Sequence, residues 1–302
     1  MTATGGAGRR AWSEQIMGMP ISLHIREAAE GRSTGSVVSE VFAWLRAVDR
    51  TFSTYRPDSA VSRLNRGELD VADAVPELRA VLDLSDEARQ RTGGYFDVML
   101  PGPDGRPRFD PSGLVKGWAV ERATALLTAG DVADFCLNAG GDIVLRAGPD
   151  QPEWRVGVED PAAPDRLVAV LPVRSGAVAT SGTARRGPHV IDPYTGRAAV
   201  ALASVTVSGP SLTWADVYAT AILARGVAEP TWLAHPTGYP ALVVDAAGTL
   251  TATDGLDWRL PDQPGSDAPG ESEAAALQGT NRLAQVTARV SGCATESTAR
   301  AA

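Results

Sequence analysis

Apolar positions recur along this chain with two different periods, and the switches between them divide it into elements. Over Ser36–Phe52 the residues Val37, Val41, Trp44, Leu45, Val48 and Phe52 share one face at helical spacing. Pro76–Arg91 repeats the pattern with Leu78, Val81, Leu82 and Ala88, and Gly93 stands where a C-terminal cap belongs. A third helix is predicted over Ser112–Thr128, turning Val115, Trp118, Ala119 and Leu126 inward ahead of Gly130. A fourth covers Thr213–Arg225 and stops at Gly226. Alternation of period two predicts a strand over Gln15–Arg26, centred on Ile21, Leu23 and Ile25. Shorter strands follow at Phe135–Leu137, Ile143–Leu145, Trp154–Val158, Leu167–Val173, Ala177–Ala179, His189–Ile191 and Ser204–Val207, separated by Gly, Pro and Asp turns. Pro240–Val244 and Thr249–Ala252 read as a terminal hairpin closed through Asp245-Ala-Ala-Gly248.

Strands and helices interleave irregularly and no internal repeat is found, so the expected class is α+β: mixed short strands and helices in one domain. Residues 1–13 read as a flexible leader and 14–262 as the folded domain. After Trp258 no aromatic residue remains, and Pro, Gly, Ser, Glu and Ala dominate from Pro261 onward. Residues 263–302 are therefore expected to form a disordered tail, with a transient helix near Glu273–Val290.

Composition adds exclusions. The 302 residues are 44% hydrophobic and 21% charged, which is globular. A net charge of -8 argues against a nucleic-acid binder, which carries a basic surface. An acidic protein that handles phosphate needs local devices: a metal, a helix N-terminus or one placed cation. Cys136 and Cys293 cannot build a disulfide framework. Arg9 and Arg10 are followed by no apolar run of signal-peptide length, and no 18-residue apolar stretch exists, so a cytoplasmic location without a membrane span is expected. Lys116 is the single lysine among 28 basic residues, which hints that this position wants a compact ammonium.

The unusual segments are glycine-rich turns carrying Asp, Thr, Ser or His. Turn chemistry accounts for any one of them; eight within about 200 residues is a different matter. Asp216 and Thr220 lie four apart on one helix face, an anionic and a neutral oxygen suited to a hard cation such as Mg2+, which completes its shell with water and phosphate. Asp110 and Ser112 precede a helix whose free N–H groups can hold an anion, and Lys116 falls one turn inside. His189 opens a strand that ends in Asp192-Pro-Tyr-Thr-Gly196. No zinc-ligand spacing, dinucleotide fingerprint, P-loop or nucleophile elbow occurs.

Taken in order from about Ile16 to Gly226, these segments resemble the ApbE family, the FAD:protein FMN transferases. The resemblance rests on Thr51–Asn65, Gly94-Tyr-Phe-Asp97, Asp110–Gly117, Ala139-Gly-Gly-Asp142, Ala179-Thr-Ser-Gly182, His189-Val-Ile-Asp-Pro-Tyr-Thr-Gly196 and Ala215-Asp-Val-Tyr-Ala-Thr220. Two motifs depart from the family pattern: Met17-Gly-Met19 replaces Met-Gly-Thr, and Asp110-Pro-Ser-Gly113 replaces Asp-x-Gly-Gly. The resemblance implies a T-fold-like α+β domain with an FAD cleft and Mg2+ at the pyrophosphate. It also implies transfer of the FMN moiety to a threonine hydroxyl of a target flavoprotein, with release of AMP. Carried over residue by residue, it assigns flavin contacts to Met17, Tyr55, Tyr95, Phe96, Asp97, Asp110, Lys116 and Ile191. Metal contacts fall to Asp216, Thr220 and the carbonyl of Gly113, and His189 comes beside the attacked phosphorus.

His189 is the candidate general base because imidazole titrates near neutrality, and Asp110 or Asp192 are alternatives. Tyr55 and Tyr95 offer ring faces to isoalloxazine or adenine. Other activities consistent with the same residues are FAD hydrolysis to FMN and AMP, a non-catalytic FAD carrier, and an α+β interaction domain without ligand.

Overall fold

The computed structural model describes residues 2–6, 9–26, 34–102, 105–184, 187–226, 238–261 and 288–291. Strands β1 (Thr2–Gly6), β2 (Arg9–Ile16) and β3 (Met19–Arg26) open the chain, followed by helices α1 (Thr34–Phe52), α2 (Ala60–Asn65) and α3 (Pro76–Arg91). A short ribbon, β4 (Met99–Pro101) with β5 (Pro107–Phe109), leads into α4 (Ser112–Ala129). Then come β6 (Phe135–Ala139), β7 (Asp142–Arg146), β8 (Trp154–Asp160), β9 (Ala163–Val173) and β10 (Ser175–Gly182). A second ribbon pairs β11 (Ile191–Asp192) with β12 (Arg197–Ala198). The chain continues with β13 (Leu202–Gly209), α5 (Leu212–Arg225), β14 (Ala241–Asp245), β15 (Leu250–Ala252) and β16 (Ala288–Ser291).

Nine strands form the main sheet in the order β1-β2-β3-β6-β7-β10-β13-β14-β15, with every neighbouring pair antiparallel. Period-two alternation splits its side chains between two cores. Ile21, Leu23, Leu137, Ala177, Ala179, Val205 and Val207 face the helices. Cys136, Ile143, Leu145, Val178, Leu242 and Val244 face the small sheet β16-β8-β9, where Trp154, Val156 and Val158 meet them. The molecule is thus a helix layer, a large sheet and a small sheet, the α+β class expected from sequence.

Several differences from expectation have clear causes. The strand expected over Gln15–Arg26 is a hairpin, because Met17 and Gly18 both take positive φ (53° and 72°) and turn the chain back so that Ile16 pairs with Met19. Residues 9–13, read as leader, are paired strand opposite Arg26 to Ser22. Strand β11 starts at Ile191, leaving His189 in a loop. The ribbon β4–β5 and helix α2 were not anticipated; α2 is too short for periodicity to reveal, and its cap, Ser59 accepting the Ser62 N–H, is the local cause. Of the expected tail, only Ala288–Ser291 is described, as an edge strand on β8; the helix proposed near Glu273–Val290 and Cys293 lie otherwise outside the described residues.

Helix α5 is apolar almost all round and is buried accordingly, while α4 buries Leu114, Val115, Trp118, Ala119, Val120, Ala123 and Leu127 and exposes its remaining face. They approach closely at Gly117, where an added Cβ would stand 3.0 Å from the Leu212 carbonyl oxygen and 3.2 Å from Thr213 Cα. Four residues on, Glu121 Oε2 accepts hydrogen bonds from Ser211 Oγ (2.8 Å) and the Thr213 N–H (3.1 Å). One helix thereby satisfies open donors at the N-terminus of the other. Gly226, at φ 71°, ends α5 in the left-handed conformation. Trp118 of α4 packs against Trp44 and Phe52 of α1, with ring centroids 5.6 Å apart in both cases.

Substituting Gly117→Val forces the two helices apart. Overpacking of about 1–3 kcal/mol exceeds the helix-propensity gain of under about 1 kcal/mol. A lower urea midpoint at unchanged m-value is expected, and an unchanged midpoint would show that the helices can separate freely.

Candidate functional site

One cleft of about 1490 Å3 opens beside the helix-facing side of the main sheet. The twelve residues that the resemblance assigns to flavin, metal or the attacked phosphorus line it: Met17, Tyr55, Tyr95, Phe96, Asp97, Asp110, Gly113, Lys116, His189, Ile191, Asp216 and Thr220; Asp192, the alternative base, does not. They come from the β2–β3 turn, the loops after α1 and α3, the start of α4, the segment around β11, and α5.

The floor of the cleft is a charged cluster. The Lys116 ammonium makes ion pairs with Asp142 and with Asp216, the latter at 3.5 Å. Asp142 and Asp216 are 1% and 2% exposed, so the cluster holds two buried carboxylates against one cation. Asp142 Oδ1 also accepts the Thr180 N–H at 3.1 Å. Thr220 Oγ1 and Ser181 Oγ are 2.9 Å apart. Periodicity explains the meeting. Asp216 and Thr220 share a face of α5, Ser181 continues the helix-facing register of Ala177 and Ala179, and Asp142 lies on the same face of β7 as Val144.

This donor set fits a hard divalent cation. A buried pair of carboxylates and one ammonium leaves a net negative charge away from water, which is costly unless a further cation shares it. Asp216, Thr220 and Gly113, the residues that the resemblance assigns to the metal, all line the cleft. Among the described residues no group of three His, Cys, Asp or Glu side chains gathers, so a cation here would complete its shell with water or substrate oxygens, as Mg2+ commonly does.

The walls carry aromatic surface. Tyr55 is 96% exposed at the rim. Tyr95 packs against Tyr194 (centroids 4.9 Å apart, planes at 51°), with the Arg225 guanidinium 5.5 Å from its ring. Tyr194 Oη donates to the Gly93 carbonyl, so the turn between β11 and β12 is tied to the loop after α3. Phe96 is buried, its N–H donating to Thr92 Oγ1. Asp97 pairs with Arg89 at 2.9 Å and accepts the Met99 N–H, and Asp110 accepts the Ser112 N–H at 3.0 Å. These two carboxylates therefore shape the loops at the mouth of the cleft. Met17 holds positive φ without being glycine, a strained conformation of the kind that clusters at ligand sites.

His189 is exposed, and its Nδ1 lies 3.0 Å from the Gly187 carbonyl oxygen. A carbonyl only accepts, so this contact assigns the proton to Nδ1 and leaves Nε2 as the acceptor. Asp192 is differently placed. The Tyr194 N–H (2.9 Å) and the Thr195 hydroxyl (2.8 Å) hold its carboxyl below the usual carboxylate value, the Tyr194 amide contributing most. A carboxylate so held is the weaker base.

Sequence reasoning gave no role to Asp142, Ser181 or Tyr194. The first two lie within glycine-rich segments that it noted, and strand alternation was the signal that puts them on the helix-facing side. Nothing in the sequence announces the reach of Tyr194 across to Gly93.

The sequence matches the model of the ApbE family over residues 17–103 and 100–243. The FAD:protein FMN transferase of Vibrio cholerae is 26% identical over 261 residues, spanning 68% of this chain and 78% of that protein. The protein of the same name from Rhodobacter capsulatus is 27% identical over 242 residues, or 77% of this chain and 42% of that protein. Among solved structures, the ApbE protein of Thermotoga maritima superposes with a TM-score of 0.71 at 20% identity, covering 81% of this chain and 96% of that one. No helix among the described residues is long and apolar enough to cross a membrane.

Because the folded-state value of Asp192 lies below its unfolded one, the stabilisation of its turn is complete above the ordinary carboxylate pKa. It is lost as pH falls through the lowered value. Acidification through that window, or Asp192→Ala at neutral pH, should lower the protection factor of the Tyr194 amide, taken against the intrinsic exchange rate at the same pH. Unchanged exchange in the variant would mean that other contacts hold this loop.

Proposed function

The chain belongs to the ApbE family, and on that premise we propose that it transfers the FMN half of FAD to a threonine hydroxyl of a target flavoprotein, releasing AMP with the help of Mg2+. One observation carries the reading beyond family membership: twelve residues chosen from scattered segments of sequence line a single cleft, around an ammonium and two buried carboxylates. The names of the curated relatives support the same activity.

The chemistry breaks the pyrophosphate bond between the phosphorus of the FMN half and the oxygen that leaves with AMP. A new bond forms from that phosphorus to the threonine oxygen. Phosphoryl chemistry of this kind depends on in-line positioning and charge neutralisation. Bound Mg2+ would supply charge neutralisation at the pyrophosphate, held by Asp216, Thr220 and the Gly113 carbonyl. Lys116 brings a compact positive charge to the phosphate oxygens. Met17, Tyr55, Tyr95, Phe96 and Ile191 offer apolar and aromatic surface to the flavin, and Asp97 and Asp110 keep the loops around it in shape. His189, through Nε2, accepts the threonine proton as the hydroxyl attacks.

The test is incubation with FAD, Mg2+ and a candidate acceptor flavoprotein, followed by mass spectrometry of the acceptor. An added FMN mass with stoichiometric AMP is expected. Free FMN and AMP with an unmodified acceptor would instead favour hydrolysis, and no FAD turnover at all would favour a carrier. His189→Ala should slow transfer by about 10²- to 10⁴-fold, the usual contribution of a general base, with FAD affinity little changed. Full activity would hand the proton to a carboxylate. Asp216→Ala should abolish cation-dependent turnover, and turnover that persists in chelator would remove the metal from the scheme.

A further inference from the structure

We infer that Asp142 is a positioning residue: it anchors the Lys116 ammonium so that the Asp216 carboxylate stays available to a divalent cation. The inference rests on the cation reading of the preceding section and adds a residue and a role to it.

The geometry is asymmetric. Lys116 reaches two carboxylates, of which Asp142 is the nearer, while Asp216 is 3.5 Å away, beyond a strong charge-assisted hydrogen bond. Asp142 is held from three sides. Its backbone closes the β6–β7 hairpin, where Gly140 and Gly141 both take positive φ (62° and 111°) and the Gly141 N–H donates to Asn138 Oδ1. Its Oδ1 accepts the Thr180 N–H of the neighbouring strand, which sets the carboxylate plane. Its Oδ2 takes the ammonium. At 1% exposure, water competes little for any of these contacts.

Without a charge at 142, Asp216 remains as an anionic partner of the ammonium. A buried carboxylate and a partly exposed ammonium 3.5 Å apart attract each other more strongly than they would in bulk water. Lys116 would then neutralise the oxygen that a divalent cation needs. With Asp142 present, one ammonium is shared by two carboxylates, and Asp216 lines the cleft together with Thr220 and Gly113.

The test is a double-mutant cycle read by direct binding of Mn2+ to the full chain without FAD, using electron paramagnetic resonance, with melting temperatures recorded alongside. Asp142→Asn should weaken Mn2+ binding about tenfold or more in the wild-type background. In a Lys116→Met background it should weaken binding less than about threefold, a non-additivity typical of groups in direct contact. Equal losses in both backgrounds would mean that Asp142 acts on the cation itself and would overturn the inference, as would no loss in either. A wild-type chain that binds no Mn2+ would overturn the cation reading and this inference with it. A second measurement needs no variant. Lys116 is the sole lysine, so ¹⁵N-lysine labelling gives one side-chain ammonium signal. That signal should stay protected from exchange both without and with Mg2+. Its loss when Mg2+ is added would show that Asp142 does not hold the ammonium, and would overturn the proposal even if Asp142→Asn cannot be folded.

Discussion

One partly exposed ammonium between two buried carboxylates sets the terms for the rest of this molecule. Lys116 on α4, Asp142 on β7 and Asp216 on α5 join three elements distant in sequence. None of these charges could be buried alone, because an uncompensated ion in the interior costs several kcal/mol. The close crossing of α4 and α5 at Gly117 brings the lysine within reach of Asp216, and the Glu121 side chain holds that crossing by satisfying the first donors of α5. The packing of the helix pair and the electrostatics of the cleft floor are thus one constraint.

The walls of the cleft are built on another principle. Tight turns at Met17-Gly18 and Gly140-Gly141 end hairpins of the main sheet and bring backbone to the edge of the cavity. The loops after α3 and around β11 are shaped by their own carboxylates, Asp97 and Asp192, each accepting backbone N–H groups two residues on. Tyr194 then joins those two loops across the opening. Rigid floor and loop-built walls suit a site that must hold a charged centre fixed while admitting a large ligand and a second macromolecule. Exposed His189 sits on the wall.

The family match and the superposition agree on the fold, and the cleft contributes what they do not: the spatial grouping of the motif residues. Seven ordered motifs made the resemblance legible because glycine-rich turns bearing a polar side chain have few sequence solutions. Asp142 and Ser181 stood inside those motifs without a role. Their contacts depend on which strand neighbours which, and β7, β10 and α5 are brought together only by the strand order of the sheet.

The sequence alone determined the four long helices, most of the strands and the α+β class, each encoded locally in periods of 3.6 or 2 and in turn residues with particular backbone needs. The twelve cleft residues came instead from the resemblance of ordered motifs to a known family. Length limited the rest: α2, β4 and β11 are too short for a period to show, and the Met17-Gly18 turn hid a hairpin inside one alternating run. Only the tertiary structure decided that Lys116 sits between Asp142 and Asp216, and that Tyr194 reaches Gly93. Such contacts depend on distance in space, and the chain's one-dimensional pattern carries no record of that until the sheet order and the helix crossing are in place.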